Sequence, residues 1–204
     1  MNDFGIGVAY EAIADWFDQN RTKILFEKPY LEILLQHCQS NTSVLDLGCG
    51  TGEPIARYLI EQGCYVIGVD NSLNMIAMCR KRFPNMEWIV ADMTKVSLPQ
   101  KFGAVVAWDS FFHLPHDAQR AMFPIFASHT ADGGILLFTS GTEQGIAYGE
   151  MNGHTVYHAS LDSAEYQSLL EANGFDVVIH KINDETCGNR TVWLAQKKGT
   201  KTQP

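Results

Sequence analysis

Residues 44–54 read VLDLGCGTGEP, and this stretch predicts the fold of the chain. An apolar run leads into three glycines in a G-x-G-x-G spacing, Gly48, Gly50 and Gly52, and a helix is expected directly after them. Glycine tolerates positive φ and lets a ligand approach the backbone closely. The dinucleotide-binding pattern G-x-G-x-x-G would place its third glycine at position 53, where the chain has Glu53. The stretch therefore predicts a strand, a ligand-binding loop and a helix, with a ligand other than a dinucleotide.

Carboxylates flank this loop and follow the next strands. Asp46 precedes the loop and Glu53 follows it, which disfavours a pyrophosphate and favours a ligand with a positive group, such as an amino acid or a sulfonium. Asp70 ends the next apolar run, where an acid can accept both hydroxyls of a ribose. Asp92 ends the third run, where it could accept the exocyclic amine of adenine. The residues expected to flank that ring are Met93 with Leu73 or Met75.

Short apolar runs alternate with helical patterns along the middle of the chain. The apolar runs are residues 43–48, 65–70, 87–92, 103–109 and 134–141, and the helical patterns are 53–63, 72–83 and 116–130. Strand–helix–strand alternation predicts a parallel sheet covered by helices on both faces. The right-handed crossover rule then favours a doubly wound α/β sheet.

Other segments depart from this alternation. Residues 1–38 predict an N-terminal helical cap, and residues 142–160 predict a β-hairpin with its turn at Asn152-Gly153. FDVVIHKI and TVWLAQK predict two antiparallel strands joined by the polar loop NDETCGNR. We expect one domain overall: the cap, a ligand-binding unit over 39–198 that includes the hairpin as a lid, and a flexible tail over 199–204.

The motifs VLDLGCGTG, GVD at 68–70, AD at 91–92 and WDSFFHL after the fourth strand together resemble the class I S-adenosylmethionine (SAM)-dependent methyltransferases of the small-molecule type. The resemblance covers roughly residues 40–195. It implies SAM as the cofactor and a Rossmann-like sheet of seven strands with the last inserted antiparallel. It also implies that the glycine loop packs on the methionine part of SAM, that Asp70 binds ribose and that Asp92 binds adenine.

The resemblance extends to the N-terminal YEAIADWFDQN, which is similar to the helix that closes over SAM in small-molecule members. Tyr10, Trp16 and Arg21 are the matching candidates at the methionine end, with Phe17 as the alternative to Trp16. More ordinary roles remain open: Asp70 as a helix N-cap beside Asn71 or Ser72, Asp92 as a loop cap, Cys49 as a small filler. The cofactor-binding residues we expect are Asp46, Gly48, Cys49, Gly50, Gly52, Asp70, Asn71, Met75, Ala91, Asp92, Met93, Trp108, Tyr10, Trp16 and Arg21.

The fourth strand ends in the aromatic and titratable stretch AVVAWDSFFHLPHD, residues 104–117. His113 is the candidate base if the acceptor must lose a proton, and Asp109 could orient it or bind the substrate. Phe111 and Phe112 are adjacent, so we expect one of them in the core. His113 and His116 have no third ligand in view, so we predict no metal site.

The hairpin is expected to hang over the same edge of the sheet, as a substrate lid or as ordinary cross-strand pairs. The hairpin residues considered for this role are Tyr148, Glu150, Tyr157 and His158.

Composition limits the partners. The formal net charge is −8, which argues against a nucleic-acid partner. Five scattered cysteines without CxxC spacing favour reduced thiols and a cytoplasmic location, and no apolar run is long enough to cross a bilayer. We therefore expect a monomeric or homodimeric methyltransferase that acts on oxygen or nitrogen of a small molecule. The alternatives are a SAM-binding protein without methyl transfer and a protein methyltransferase.

Overall fold

The predicted doubly wound sheet is confirmed. The computed structural model describes residues 6–39 and 41–199, so residues 1–5 of the predicted cap and residues 200–204 of the predicted tail lie outside the described residues. The helices are α1 (Ile6–Asn20), α2 (Lys28–Gln36), α3 (Ile55–Glu61), α4 (Leu73–Arg82), α5 (His116–His129) and α6 (Ser163–Ala172). The strands are β1 (Ser43–Leu47), β2 (Tyr65–Asp70), β3 (Glu87–Val90), β4 (Phe102–Ala107), β5 (Thr130–Ser140), β6 (Gly145–Met151), β7 (His154–Ser160), β8 (Phe175–Asp184) and β9 (Arg190–Lys197).

Seven of these strands form one sheet in the order β3-β2-β1-β4-β5-β9-β8. The first five strands are parallel, and β9 lies antiparallel between β5 and β8. In the register, Leu45 of β1 pairs with Ile67 of β2 and with Val105 of β4. The order reverses between β1 and β4, which places the ends of these two strands at the crevice where open α/β sheets bind ligands.

The core has two apolar layers, one on each face of the sheet. Successive strand residues point to opposite faces, so Val44 belongs to the layer formed with α2, α3 and α4, and Leu45 to the layer formed with α5 and α6. Phe111 is fully buried in the second layer, with its ring centroid 5.6 Å from that of Phe126 and 5.4 Å from that of Phe138. Phe112 is only half-buried. The expectation that one of the adjacent phenylalanines is a core residue is therefore met by Phe111.

The predicted hairpin after the fifth strand is also confirmed. β6 and β7 pair antiparallel from Gly145 opposite Ser160 to Met151 opposite His154. The turn residues Asn152 and Gly153 have φ of 47° and 77°, as a two-residue hairpin turn requires. β7 packs against α1 and against the short 3-10 turn at residues 111–113. The hairpin thus joins the N-terminal helix to the end of β4.

The N-terminal helices cover one face of the sheet and the carboxyl ends of its parallel strands. In α2, Tyr30, Leu31 and Leu34 are buried against the sheet, while α1 packs on α4 and on β7. Within residues 6–39 and 41–199, no helix combines the length and apolar character that a bilayer crossing needs. The division into cap, ligand-binding unit, lid and tail remains a prediction.

Phe111→Ala tests the aromatic layer. The substitution should lower the free energy of unfolding by about 3–5 kcal/mol, because a buried Phe-to-Ala change loses transfer free energy and leaves a cavity. Urea unfolding measures this loss. Phe112→Ala is the matched control and should lose less than half as much, since its ring is only half-buried. Equal losses for the two variants would contradict the assignment of Phe111 to the core.

Candidate functional site

A cavity of about 510 Å³ opens at the carboxyl ends of β1, β2, β3 and β4. Its wall includes α1, the glycine loop and the segments that follow β2, β3 and β4. Twelve of the seventeen residues predicted for the site line it together. These are Tyr10, Arg21, Gly48, Gly50, Asp70, Asn71, Met75, Ala91, Asp92, Met93, Asp109 and His113.

Five predicted site residues are not part of the cavity wall. Trp108 is buried in the core with its ring against Tyr30 (centroids 6.1 Å apart), and Cys49 is buried between the loop and the sheet. Trp16 is 38% exposed on the outer side of α1, and Phe17, one position further along the helix, lines the cavity instead. Gly52 is packed against Phe83 and Cys79, and Asp46 is buried. Trp16, Trp108 and Cys49 thus lie away from the cavity, and the ligand contact expected of them remains a prediction.

Two glycines of the loop are needed for different reasons. A Cβ on Gly48 would lie 2.2 Å from the Ser110 Cβ, and the residue has φ of 78°, so the loop could not approach the end of β4 with a side chain there. Gly50 has φ of 53°, and a Cβ there would meet only the Phe17 ring at 3.8 Å, in the space of the cavity. Gly48 therefore serves packing, and Gly50 keeps the ligand side of the loop open.

The Asp70 carboxylate holds the glycine loop. The Gly50 N–H donates to its Oδ2 and the Ser72 N–H donates to its Oδ1, both at 2.9 Å. Ser72, whose side chain accepts from the Met75 N–H at 3.1 Å, is the N-cap of α4. Ser72, and not Asp70, therefore caps α4. Asp70 lines the cavity, and ribose binding remains its predicted function.

The Asp46 carboxylate is 4% exposed and lies near Arg21 and Asp70. Burial raises its pKa to about 7, and the negative charge of Asp70 adds to this, while Arg21 opposes it. Among the described residues, no hydrogen-bond donor to this carboxylate is seen. A cation placed near it would relieve the cost of burying its charge.

The sequence suggested that Glu53 is an acid directed at the ligand of the glycine loop, but its carboxylate pairs with Arg57. Its carboxylate accepts two hydrogen bonds at 2.8 Å from the Arg57 Nε and one at 2.5 Å from the Arg57 Nη2, one helical turn further on. Glu53 is therefore committed to an ion pair on α3. The argument for a cationic ligand depends on Asp46 alone.

The end of β3 forms the opposite end of the cavity. Asp92 caps the 3-10 turn at residues 93–95 by accepting from the Thr94 N–H at 2.9 Å, and its Oδ2 is 2.8 Å from the Lys95 Nζ. Met75 and Met93 line the cavity beside it, whereas Leu73 is 58% exposed. Of the two alternatives for the residue opposite Met93, the structure favours Met75.

His113 joins three elements at the end of β4. Its Nδ1 is 2.8 Å from the Tyr157 carbonyl oxygen of β7, and its Nε2 is 3.0 Å from the Tyr10 hydroxyl of α1. A carbonyl can only accept, so Nδ1 carries the proton and Nε2 accepts from Tyr10. Burial lowers the pKa of His113 to about 4, so the ring is neutral near pH 7.

Asp109 follows β4 in the left-handed region, with φ of 48°. Its N–H donates to the Thr139 Oγ1 at 2.9 Å, and its carboxylate is bound by the Arg190 guanidinium at 2.7–3.0 Å. Asp109 and His113 have separate hydrogen-bond partners, so the expectation that Asp109 orients His113 through a direct contact is not supported. Arg190 was missed from the sequence because it lies 81 residues away in a loop interpreted only as polar.

Arg21 lines the cavity near the glycine loop. Its guanidinium lies 5.4 Å from the centre of the Phe17 ring and 4.0 Å from the Glu27 carboxylate. Glu27 is buried, and burial raises its pKa. The hairpin contributes the Tyr157 carbonyl that holds His113, but the cavity wall of the described chain contains no hairpin side chain. The lid role of Tyr148, Glu150, Tyr157 and His158 remains a prediction.

Asp46→Asn tests the buried carboxylate. In the unfolded chain this group loses its proton near pH 3.8, and in the folded chain near pH 7. The folded state therefore binds the extra proton between these values, and stability is lost as pH rises from about 4 to 7. The variant should be more stable than the unchanged protein above pH 7, by about 4 kcal/mol at most, and the gain should vanish near pH 4.

Urea unfolding at several pH values measures this difference. Asp15→Asn, at an exposed position of α1, is the control and should show no such trend. A gain for Asp46→Asn that is the same at pH 4 and pH 8 would contradict the burial of an ionisable group.

Comparisons with known proteins agree with this geometry. Residues 44–134 match a family model described as a methyltransferase domain. The chain is 32% identical over 107 residues to the dTDP-3-amino-3,6-dideoxy-alpha-D-glucopyranose N,N-dimethyltransferase of Streptomyces fradiae, covering 52% of this chain and 42% of that protein. The chain spans less than two thirds of the length of the curated relatives it matches.

Solved structures share the fold. An S-adenosylmethionine-dependent methyltransferase from Clostridium acetobutylicum superposes with a TM-score of 0.73 at 13% identity, covering 94% of this chain and 100% of that one. SAM-bound CalS10, an amino pentose methyltransferase from Micromonospora echinaspora, gives 0.71 at 17% identity, covering 93% and 97%. The match over residues 44–134 and the shared fold make the chain similar to the S-adenosylmethionine-dependent methyltransferases.

Proposed function

We propose that this protein transfers the methyl group of SAM to a small-molecule acceptor bound at the end of the cavity formed by Tyr10, Asp109 and His113. The observation that supports the proposal is that one cavity joins two chemically different ends. One end has the glycine loop, Asp70 and Asp92; the other has a hydroxyl, a carboxylate and a neutral imidazole. A binding protein would need the first end only, because the second adds polar groups that a donor molecule does not require.

The residues present fit SAM. Gly50 leaves room for a ligand against the loop, and Asp70 presents a carboxylate at the cavity wall while it holds that loop. The buried Asp46 charge suits a nearby cation. Met75, Asp92 and Met93 would hold the adenine end. When bound, SAM supplies an electrophilic methyl group on a sulfonium, so the chain mainly has to orient the acceptor and exclude water.

The acceptor end favours an amine nitrogen over a hydroxyl oxygen. An amine in its free-base form already has a nucleophilic lone pair, whereas a hydroxyl needs a base to remove its proton during the reaction. His113 is a weak base, since its pKa is lowered to about 4 and both of its nitrogens have hydrogen-bond partners. The relative from Streptomyces fradiae is named as an N,N-dimethyltransferase, which is consistent with nitrogen.

Tyr10 and His113 instead orient the acceptor. The Tyr10 hydroxyl donates to the His113 Nε2 at 3.0 Å, so its oxygen can accept an N–H of the acceptor, and the proton of the methylated amine is lost to solvent. The nearby Asp109 charge favours the protonated ring, although burial opposes it more strongly. The Tyr157 carbonyl keeps the other nitrogen protonated throughout.

Incubation with SAM carrying a deuterated methyl group tests the proposal directly. The protein is mixed with a small-molecule extract and, separately, with a protein extract, and labelled products are identified by mass spectrometry. We expect label on a small molecule, attached to nitrogen, together with release of S-adenosylhomocysteine. Label only on protein would indicate a protein methyltransferase. SAM binding by calorimetry without any labelled product would indicate a binding protein.

His113→Asn tests the acceptor end with the labelled product as the readout. Turnover should fall about 10²-fold, because the Tyr10 hydroxyl that orients the acceptor loses the imidazole nitrogen that fixes it. SAM affinity, measured by calorimetry, should change less than about twofold, because a lost interaction with the acceptor alone leaves cofactor binding intact. His158→Asn is the matched control: its ring lies 4.8 Å from that of His113 but outside the cavity wall, so turnover should persist. Full turnover in His113→Asn would remove His113 from the reaction.

A further inference from the structure

The 184–190 loop, which joins β8 to β9, buries the side chains of Asp184 and Cys187, although its other turn residues are exposed. The buried Asp184 carboxylate accepts from the Tyr30 hydroxyl of α2 at 2.5 Å and lies 2.8 Å from the Lys181 Nζ. Cys187, in the 3-10 turn at residues 185–187, is 1% exposed. A solvent-facing turn needs none of these contacts. The 184–190 loop is therefore a fixed part of the structure beside the end of β4.

This loop brings Arg190 to Asp109. The Arg190 Nε donates to Oδ1 at 2.9 Å and lies 3.0 Å from Oδ2, and Nη2 donates to Oδ2 at 2.7 Å. This is the two-pronged arrangement that fixes a carboxylate in direction as well as in distance. The remaining nitrogen, Nη1, donates to the carbonyl oxygens of Cys187 at 3.3 Å and Gly188 at 3.2 Å. The guanidinium is thus held by the loop on one side and holds Asp109 on the other.

Gly188 is required for this arrangement. It adopts φ of 63°, and a Cβ there would lie 2.3 Å from the Arg190 Nη1. Asn189 is also left-handed, with φ of 58°, and its N–H donates to the Asp184 carbonyl at 2.8 Å. Two successive left-handed residues are uncommon. They turn the chain so that Arg190, the first residue of β9, can contact Asp109.

We infer that Arg190 is a positioning residue that fixes the Asp109 carboxylate to receive the N–H of the methyl acceptor; this inference rests on the proposed function. An ionised carboxylate offers about four acceptor positions on its two oxygens. Arg190 contacts Oδ2 twice and Oδ1 once, so Oδ1 keeps a position for a donor from the cavity. Asp109 lines that cavity, whereas Arg190 does not.

The rest of Asp109 is fixed as well, which is what orientation of an acceptor requires. Its backbone is left-handed, and its N–H is bound to Thr139 of β5. A displacement of about 1 Å at such a group can lower the rate about 10²-fold, because the acceptor lone pair then misses the methyl group. The competing explanation is that the Asp109–Arg190 pair only ties β9 to β4 and stabilises the fold.

A double-mutant cycle, read as kcat/KM for the acceptor beside SAM affinity, separates these two explanations, because a loss that only weakens the fold would lower SAM affinity as well. The variants are Arg190→Lys, Asp109→Asn and the double variant, assayed with the acceptor identified by the deuterium label. Lysine keeps the charge but cannot make the two-pronged contact. Arg190→Lys should lower kcat/KM for the acceptor about 10- to 100-fold with SAM affinity unchanged. In the Asp109→Asn background the same change should cost less than about twofold, because Arg190 then has nothing to position.

Two further variants complete the experiment. Gly188→Ala should reproduce the loss of Arg190→Lys, since its Cβ displaces the guanidinium without touching the cavity. Arg120→Lys is the matched control, because Arg120 forms a similarly exposed pair with Glu165 at 2.6 Å outside the cavity; its activity should equal that of the unchanged protein.

Each outcome bears on the inference. Independent losses that multiply in the double variant, or full activity in Arg190→Lys, would overturn the positioning role while leaving the proposed function intact. A labelled acceptor methylated without any effect of Asp109→Asn would do the same. Absence of any labelled product would overturn the proposed function, and this inference with it.

Discussion

The site depends on the hydrogen bonds that the Asp70 carboxylate accepts from the Gly50 and Ser72 N–H groups. They tie the loop after β1 to the end of β2, the neighbouring strand. Without this tie, a loop with three glycines in the left-handed region would have many other conformations, since glycine restricts the backbone least. The same carboxylate then serves as a wall of the cavity. One buried acid therefore orders the loop and lines the cavity beside it.

The fold was predictable because its signals are local. Apolar runs of five or six residues, glycines at their ends and helical spacing between them predicted the parallel sheet, and Asn152-Gly153 predicted the hairpin turn. The site was predictable as far as it depends on strand ends, because the carboxyl ends of parallel strands meet at one edge of the sheet. Asp70, Asp92 and Asp109 all line the cavity for this reason.

The failures have equally physical reasons. Trp16 and Phe17 are adjacent on α1, so their side chains point about 100° apart around the helix axis. Which of the two rings faces the cavity depends on how the helix packs against the rest of the chain. Glu53 had a partner one turn away in Arg57, a local pair that the sequence does show. The contact between Arg190 and Asp109 could not be predicted from the sequence. It requires the antiparallel insertion of β9 and the left-handed residues 188 and 189, so the distance between the two side chains is set only once the sheet has formed.

The charges around the cavity explain why a cationic ligand suits it. Asp109 is paired with Arg190, Asp92 lies beside Lys95, and Arg21 lies beside Glu27. Asp70 is stabilised by backbone N–H groups. Asp46 is the buried acid for which the described residues provide no such partner, and its pKa near 7 records the cost. A sulfonium or ammonium group beside it would lower that cost, whereas an anion would raise it. The buried carboxyl thus favours a ligand with a cationic group independently of the shape of the glycine loop.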